Sequence, residues 1–316
     1  MKYFLFLLII FTSCKSVVTP SIPTESEVAI ESTGGHIHGS LLLPADTSKP
    51  MPLVIIIAGS GPTDRNCNSS ELKCDAYKLL ADSLAKRGIP SYRYDKRGVG
   101  ASNDFKMSEA NMRFDDFVTD AVACVNYFSS NKKFSKIIIT GHSEGALIGL
   151  LASKQTKTDA YISLCGAGRP IALVLKEQLA KQPEAIKNEC YRIIDSLQKG
   201  VEVKSVAPML ASLFRESVQP YMISWMKYDP TKEIADLKIP SLIIAGDSDL
   251  QVSVADADSL KKANPASNYK IIAGMNHPLR TGFKNDAENK ASYLQPELPI
   301  ATDLVKTIFD FIIGLK

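Results

Sequence analysis

The sequence is poor in the residues that mark several classes of protein. Its 316 residues include one tryptophan, four histidines and six cysteines, and the formal net charge is only +3. No basic stripe interleaved with aromatic residues is present, so nothing indicates nucleic-acid binding. No cysteine or histidine spacing resembles a zinc site, so we expect no metal site of that kind. Because the composition, 45% hydrophobic and 22% charged, is ordinary for a globular protein, any indication of function must come from local motifs.

The chain also lacks an apolar run long enough to cross a membrane, which takes roughly 20 residues. The run Tyr3 to Phe11, which follows Lys2, is instead typical of a secretory signal peptide. The small residues Thr12 and Ser13 come directly before Cys14, which resembles a lipoprotein processing site. We expect Cys14 to be lipidated after cleavage, with an ordinary signal peptide cut nearby as the alternative.

This N-terminus divides the chain into three parts. Residues 1–14 are predicted to be a signal peptide, residues 15–27 a flexible tether and residues 28–316 a folded domain. An exported protein of the cell envelope or periplasm, attached to the membrane through a lipid anchor at Cys14, is the resulting expectation.

Hydrophobic periodicity predicts strands that alternate with helices in the folded domain. A hairpin is predicted first, across Gly34-Gly35. Apolar runs rich in valine and isoleucine then alternate with segments of helical spacing, as in a mostly parallel sheet covered by helices on both faces. The predicted strands are 53–58, 89–95, 136–140, 160–165, 240–245 and 269–272, and the predicted helices are 75–87, 116–128, 144–154 and 302–313.

The alternation is interrupted between about residues 168 and 230. This stretch contains helical segments at 174–179, 185–197 and 209–214 but no strand-like run. We interpret it as a helical cap inserted into an α/β domain.

The motif Gly141-His142-Ser143-Glu144-Gly145 follows one predicted strand and begins the next predicted helix. In that setting G-x-S-x-G forms a sharp turn that presents the serine hydroxyl, with room only for small residues at its two ends. The alternative is a plain glycine-rich turn in which Ser143 caps the helix. We predict that Ser143 is a nucleophile.

A serine nucleophile needs a base, and His277 is the best placed of the four histidines. His142 lies inside the motif itself, while His36 and His38 lie on the predicted hairpin. His277 follows the strand 269–272, at the end of a strand where α/β proteins bind their ligands. The base also needs a carboxylate to orient it, and both Asp247 and Asp249, which follow another strand, are candidates.

Two backbone N–H groups are expected to stabilise the oxyanion of an acyl-transfer reaction. One is that of Glu144, directly after Ser143. The other is that of Ser60, in the loop Gly59-Ser60-Gly61-Pro62 after the strand 53–58. A phosphate-binding loop is the rival interpretation, but no Gly-Lys-Ser/Thr follows.

Cys67 and Cys74 flank a short loop and are the best candidates for a disulfide, since exported proteins can keep one. Two free thiols are the alternative.

Five motifs in order, GSGPTDR (59–65), YRYDKRGVGAS (92–102), GHSEG (141–145), GDSD (246–249) and GMNH (274–277), resemble bacterial α/β-hydrolases known as carboxylesterases or serine aminopeptidase-like hydrolases. The resemblance covers nearly the whole predicted domain. It implies an α/β-hydrolase fold, an acid at Asp249, hydrolysis of short acyl esters and no cofactor.

The expected function is therefore hydrolysis of a small acyl ester by Ser143, His277 and Asp249 through an acyl-enzyme. A serine aminopeptidase is one alternative, with Glu177, Glu184 or Glu189 of the cap binding a free amine. A thioesterase or acyltransferase is another, and a non-catalytic envelope lipoprotein is a third.

Overall fold

An eight-stranded sheet forms the centre of the protein in a computed structural model that describes residues 22–316. Cys14, the predicted signal peptide and the first residues of the predicted tether lie outside the described residues. The strands are β1 (Thr24–Ser32), β2 (Gly35–Leu43), β3 (Met51–Ile57), β4 (Ser91–Tyr94), β5 (Phe134–His142), β6 (Ala160–Leu164), β7 (Ser241–Gly246) and β8 (Asn268–Ile272).

The sheet is mostly parallel, as the sequence predicts. Its order is β1-β2-β4-β3-β5-β6-β7-β8, and only the β1–β2 and β2–β4 pairs are antiparallel. The predicted hairpin is therefore confirmed as the antiparallel edge of the sheet. Parallel strands place their carboxyl ends on one side, and the loops after β3, β5, β7 and β8 meet there.

Eleven α-helices lie in the part of the chain that the structure describes. They are α1 (Ala76–Ala85), α2 (Phe114–Ser129), α3 (Glu144–Gln155), α4 (Ile171–Leu179), α5 (Glu184–Gln198), α6 (Ala211–Phe214), α7 (Gln219–Trp225), α8 (Pro230–Ala235), α9 (Val254–Ala263), α10 (Asp286–Ala291) and α11 (Thr302–Ile313). None of these helices is both long enough and apolar enough to span a membrane.

Helices cover both faces of the sheet, which explains why its central strands are apolar throughout. Alternate residues of β3 enter different clusters: Val54 and Ile56 pack with α1 and α11, whereas Leu53 and Ile55 pack with α2 and α3. All four side chains are fully buried, so neither face of this strand tolerates a polar residue.

The boundary predicted for the tether is wrong at its end. Residues 24–27 belong to β1, which pairs with β2 from Thr24 to Ser32. The sequence does not reveal this because Glu25 and Glu27 are exposed and charged. Their partners are distant arginines: Glu25 pairs with Arg93 at 2.7 Å and Glu27 with Arg65 at 2.6 Å.

The segment between β6 and β7 contains helices and no strand. Its helices α4 to α7 bury an apolar cluster of their own that includes Ile193, Leu197, Phe214 and Met222. By contrast, α8 packs against α3 and α9 of the main body. We use "the cap" below for residues 168–230.

Candidate active site

Ser143 lies on a turn between β5 and α3 that only a small set of residues can form. Its backbone angles are φ 55° and ψ −121°, outside the regions that residues other than glycine ordinarily adopt. A Cβ on Gly141 would lie 2.0 Å from the Gly145 carbonyl oxygen, and a Cβ on Gly145 would lie 2.4 Å from the Ile57 carbonyl oxygen. Neither position has room for a Cβ, so both must be glycine, and the predicted sharp turn is present.

His277 and Asp249 are brought together from two different loops. His277 Nδ1 lies 2.7 Å from Asp249 Oδ2. Both side chains are almost fully buried. The loops are joined because the Ser248 N–H donates to the Met275 carbonyl at 3.1 Å. Gly246 allows this close approach, since a Cβ there would lie 1.9 Å from the Met275 carbonyl oxygen.

Backbone N–H groups hold the Asp249 carboxylate in place. Its Oδ1 accepts hydrogen bonds from the Gln251 N–H at 2.7 Å and the Val252 N–H at 3.0 Å. Burial alone would raise the pKa of this carboxyl, but His277 and the two N–H groups together hold the pKa below its ordinary value. Asp249 is therefore kept as an anion against the imidazole.

Asp247, the other candidate aspartate, has a different contact. Its Oδ1 accepts the Gly274 N–H at 2.6 Å, and its side chain is exposed. Asp247 thus stabilises the turn that leads to His277, as aspartates in turns commonly do.

The loop predicted to bind an oxyanion lies beside Ser143. A Cβ on Gly59 would lie 3.2 Å from Ser143 Cβ, so the backbone at this point lies against the serine. Ser60 follows in the same loop. Glu144 is the first residue of α3, and the N–H groups at the start of a helix have no intrahelical acceptor. Both predicted donors therefore lie on backbone adjacent to Ser143.

His142 connects this loop to His277 through contacts that the sequence does not reveal. Its Nε2 lies 2.9 Å from the His277 carbonyl oxygen, so Nε2 carries the proton and donates. Its Nδ1 then accepts from the Tyr77 hydroxyl at 2.8 Å, and the Tyr77 oxygen accepts the Gly59 N–H at 3.1 Å. Burial and the neighbouring His277 lower the pKa of His142 to about 3, which keeps it neutral.

A buried charge pair lies on the other side of the oxyanion loop. Lys96 Nζ lies 2.5 Å from the Gly59 carbonyl oxygen and 3.6 Å from Glu144 Oε2. Tyr221 of the cap donates to the other oxygen of Glu144. Burial lowers the pKa of Lys96 and raises that of Glu144, and the attraction between the two charges partly offsets both shifts.

Two cavities flank the loop at Gly61 and Pro62. One, of about 310 Å³, includes His277, His142, Cys67, Gln251 and Tyr293 in its lining. The other, of about 230 Å³, includes Lys96, Glu144, Phe117, Tyr221, Val218 and Arg215. The cap contributes the last three of these residues and so forms part of the wall of this second cavity. The cavity next to His277 is lined by the main body alone.

Cys67 and Cys74 are buried and are not bonded to each other in this structure. The Cys74 thiol instead donates to the Cys67 carbonyl at 3.1 Å. Asn68 turns the chain between them, because its side-chain oxygen accepts the Cys74 N–H. The predicted disulfide is therefore absent from this structure, and the alternative, two free thiols, is observed.

His142, Cys165 and His277 place potential metal-ligand atoms within 4.8 Å of one another. Both ring nitrogens of His142 already have hydrogen-bond partners, and His277 Nδ1 contacts Asp249. This cluster is consequently a hydrogen-bonded arrangement of side chains around the histidine pair.

Comparisons with known proteins find similar sequences and similar folds. Residues 71–221 match the family described as serine aminopeptidase, S33. The curated esterase EstD of Thermotoga maritima is 26% identical over 259 residues, which are 78% of this chain. The chain spans 58% of the length of that relative.

Solved esterases share the fold. Est1E from Butyrivibrio proteoclasticus has a TM-score of 0.60 at 17% identity, and the match covers 91% of this chain and 99% of that one. The Pyrococcus furiosus esterase Pf2001 has a TM-score of 0.57 at 15% identity, covering 93% of each chain.

The sheet and the matches define a class of fold: this chain has the α/β-hydrolase fold, as its motifs imply. The curated relative and these solved neighbours are esterases.

Proposed function

We propose that this protein is a carboxylesterase that hydrolyses small acyl esters, with Ser143 as nucleophile, His277 as base and Asp249 as the acid that orients it. The observation that carries the proposal is the His277–Asp249 contact of 2.7 Å, together with a strained strand-to-helix turn at Ser143 whose preceding residue, His142, hydrogen-bonds to the His277 carbonyl. A carboxylate at Nδ1 leaves the other ring nitrogen, Nε2, as the atom that accepts a proton.

The reaction proceeds in two steps. His277 removes the proton from the Ser143 hydroxyl as the oxygen attacks the acyl carbonyl, and the oxyanion is stabilised by the N–H groups of Ser60 and Glu144. His277 then protonates the alcohol, which leaves. Water attacks the acyl-enzyme with the same histidine as base, and the acid is released.

The two cavities suggest where the halves of the ester bind. The leaving alcohol must lie near His277, which protonates it. Because His277 lines the cavity of about 310 Å³, we place the alcohol there. The acyl group then points into the cavity of about 230 Å³ next to Glu144, where Phe117 and Val218 supply apolar contact. Cavities of this size suit small acyl groups.

Contacts of the cap argue against an aminopeptidase. Glu177 pairs with Arg169, Glu189 pairs with Arg192, and none of Glu177, Glu184 and Glu189 is among the residues that line the two cavities. The acids that do line the acyl cavity, Glu109 and Glu144, are themselves paired with Arg215 and Lys96. A free substrate amine would have to compete with these cations.

The test is hydrolysis of p-nitrophenyl esters from acetate to laurate by a chain that begins at Pro20, ahead of β1. Ser143→Ala is compared with Ser205→Ala, because Ser205 has a similar φ of 58° in the cap. We expect Ser143→Ala to lose turnover while remaining folded, and Ser205→Ala to retain it. Ester turnover that survives in Ser143→Ala would refute the assignment. Cleavage of aminoacyl anilides or thioesters in preference to esters would favour the peptidase or the thioesterase.

We also propose that the protein is exported and lipidated at Cys14. The signal-peptide pattern of residues 1–14 supports this proposal. Metabolic labelling with a palmitate analogue should label the full chain and not Cys14→Ser. Equal labelling of both would contradict it.

A further inference from the structure

Lys96 is a buried cation with no role in the reaction described above. It is 3% exposed, and its ammonium group contacts the Gly59 carbonyl at 2.5 Å and Glu144 at 3.6 Å. Burying an ammonium group is costly unless it is paired and hydrogen-bonded. Lys96 is nevertheless buried, and it lies directly behind the loop that faces Ser143.

The Gly59 carbonyl and the Ser60 N–H belong to the same peptide group. A trans peptide is planar, so these two groups share a plane and point in opposite directions. A cation that fixes the carbonyl on one side therefore fixes the direction of the N–H on the other. The Tyr77 hydroxyl fixes the preceding peptide in the same way, because it accepts the Gly59 N–H.

We propose that Lys96 is a positioning residue whose ammonium group holds the Gly59 carbonyl, so that the Ser60 N–H faces the oxyanion. This inference rests on the proposed function. A hydrogen bond from a charged donor is roughly twice as strong as a neutral one. It also polarises the peptide, which makes the Ser60 N–H a better donor in a site of low dielectric.

Glu144 connects Lys96 to the second oxyanion donor. Its backbone N–H is the group expected to bind the oxyanion, and its carboxylate is the counter-charge of Lys96. Tyr221 of α7 donates to that carboxylate. One chain of contacts thus runs from the partly buried Tyr221 of the cap through Glu144 and Lys96 to Gly59, and it orients both donors.

The test compares Lys96→Met with a matched control, Lys261→Met. Lys261 also donates to backbone carbonyls, those of Pro265 at 2.8 Å and Ser267 at 2.7 Å, but it lies in α9 and lines neither active-site cavity. For each variant we would measure kcat and KM for p-nitrophenyl acetate. We would also measure Ki for a trifluoromethyl ketone, which forms a tetrahedral adduct with a serine nucleophile.

We expect Lys96→Met to lower kcat about 10- to 100-fold, less than the loss on removing an oxyanion donor outright. KM should change little, and Ki for the ketone should rise in proportion to the loss of kcat/KM, because only the tetrahedral state uses the oxyanion donors. Lys96→Arg should restore part of kcat, and Lys261→Met should match the wild type.

A second variant guards against misfolding. Lys96→Met leaves the Glu144 charge buried without its partner, which can destabilise the protein by itself. The double variant Lys96→Met/Glu144→Gln removes both charges, and its folding is checked by thermal unfolding. It should show the same loss of kcat and the same rise in Ki.

Two results would overturn the role of Lys96. One is a folded double variant with kcat and Ki within about twofold of the wild type, well below the effect of an oxyanion donor. The other is a loss of kcat with an unchanged Ki for the ketone, which would indicate a purely structural role. A wild type that neither cleaves esters nor forms the adduct would instead refute the proposed function, and the role of Lys96 with it.

Discussion

Replacing Tyr77 with phenylalanine tests the hydrogen-bond network that joins the oxyanion loop to His277. The hydroxyl accepts the Gly59 N–H and donates to His142 Nδ1, and all three residues are buried. Removing one oxygen leaves both groups without this partner. An unsatisfied buried polar group costs about 1–3 kcal/mol, so leaving two of them should lower the free energy of unfolding by about 2–6 kcal/mol.

Urea denaturation measures this loss as a lower midpoint at constant slope. Tyr92→Phe is the control, because the Tyr92 hydroxyl makes a single hydrogen bond of 3.2 Å to the Val28 carbonyl and should cost only about 1 kcal/mol. We also expect kcat to fall in Tyr77→Phe and to stay unchanged in Tyr92→Phe. If the two variants had equal stability and equal kcat, the network would not be what holds the oxyanion loop and His277 in place.

Three further changes test other parts of the structure. Asp249→Asn should keep the fold but lower kcat by roughly 10⁴-fold, because the amide stabilises the wrong imidazole tautomer; a loss below tenfold would contradict this. Since the pKa of Asp249 is lowered in the folded protein, its charge stabilises the fold above the unfolded pKa near 4 and that contribution is lost as the pH falls further. Acid unfolding of Asp249→Asn should therefore depend less steeply on pH below about 4 than that of the wild type. Overpacking usually costs about 1–3 kcal/mol, and Gly145→Ala should destabilise the protein by more than this because its Cβ would lie 2.4 Å from a strand carbonyl oxygen. A variant with the melting temperature of the wild type would argue against the tight turn. Arg65→Met should cost about 3–5 kcal/mol in urea, because Asp95 is left buried without its partner at 2.8 Å, whereas Glu27→Gln at the exposed end of the same network should cost less than about 1 kcal/mol.

The parts of the fold that the sequence predicts best are those whose pattern is complete within one segment. The C-terminal helix is predicted and observed over the same residues, 302–313, because its apolar face is regular. The start of β1 is not predicted, because an exposed edge strand has no apolar alternation. Glu25 and Glu27 pair with arginines that come 38 to 68 residues later.

The candidate site shows the same division. The turn around Ser143 can be predicted because its steric requirement is met by Gly141 and Gly145, which are close in sequence. Tyr77 and Lys96 carry no such local signal: Tyr77 has the spacing of a core residue in α1, and Lys96 is one charge in a loop. Their contacts with Gly59 depend on how separate loops meet at the end of the sheet.

Covalent labelling of the nucleophile tests the central claim most directly. The protein would be treated with a fluorophosphonate and digested, and the modified peptide would be identified by mass spectrometry. The account predicts one adduct per chain, on Ser143, that forms slowly in Asp249→Asn and is absent from Ser143→Ala. An adduct on another residue, or equal labelling of Ser143→Ala, would contradict it.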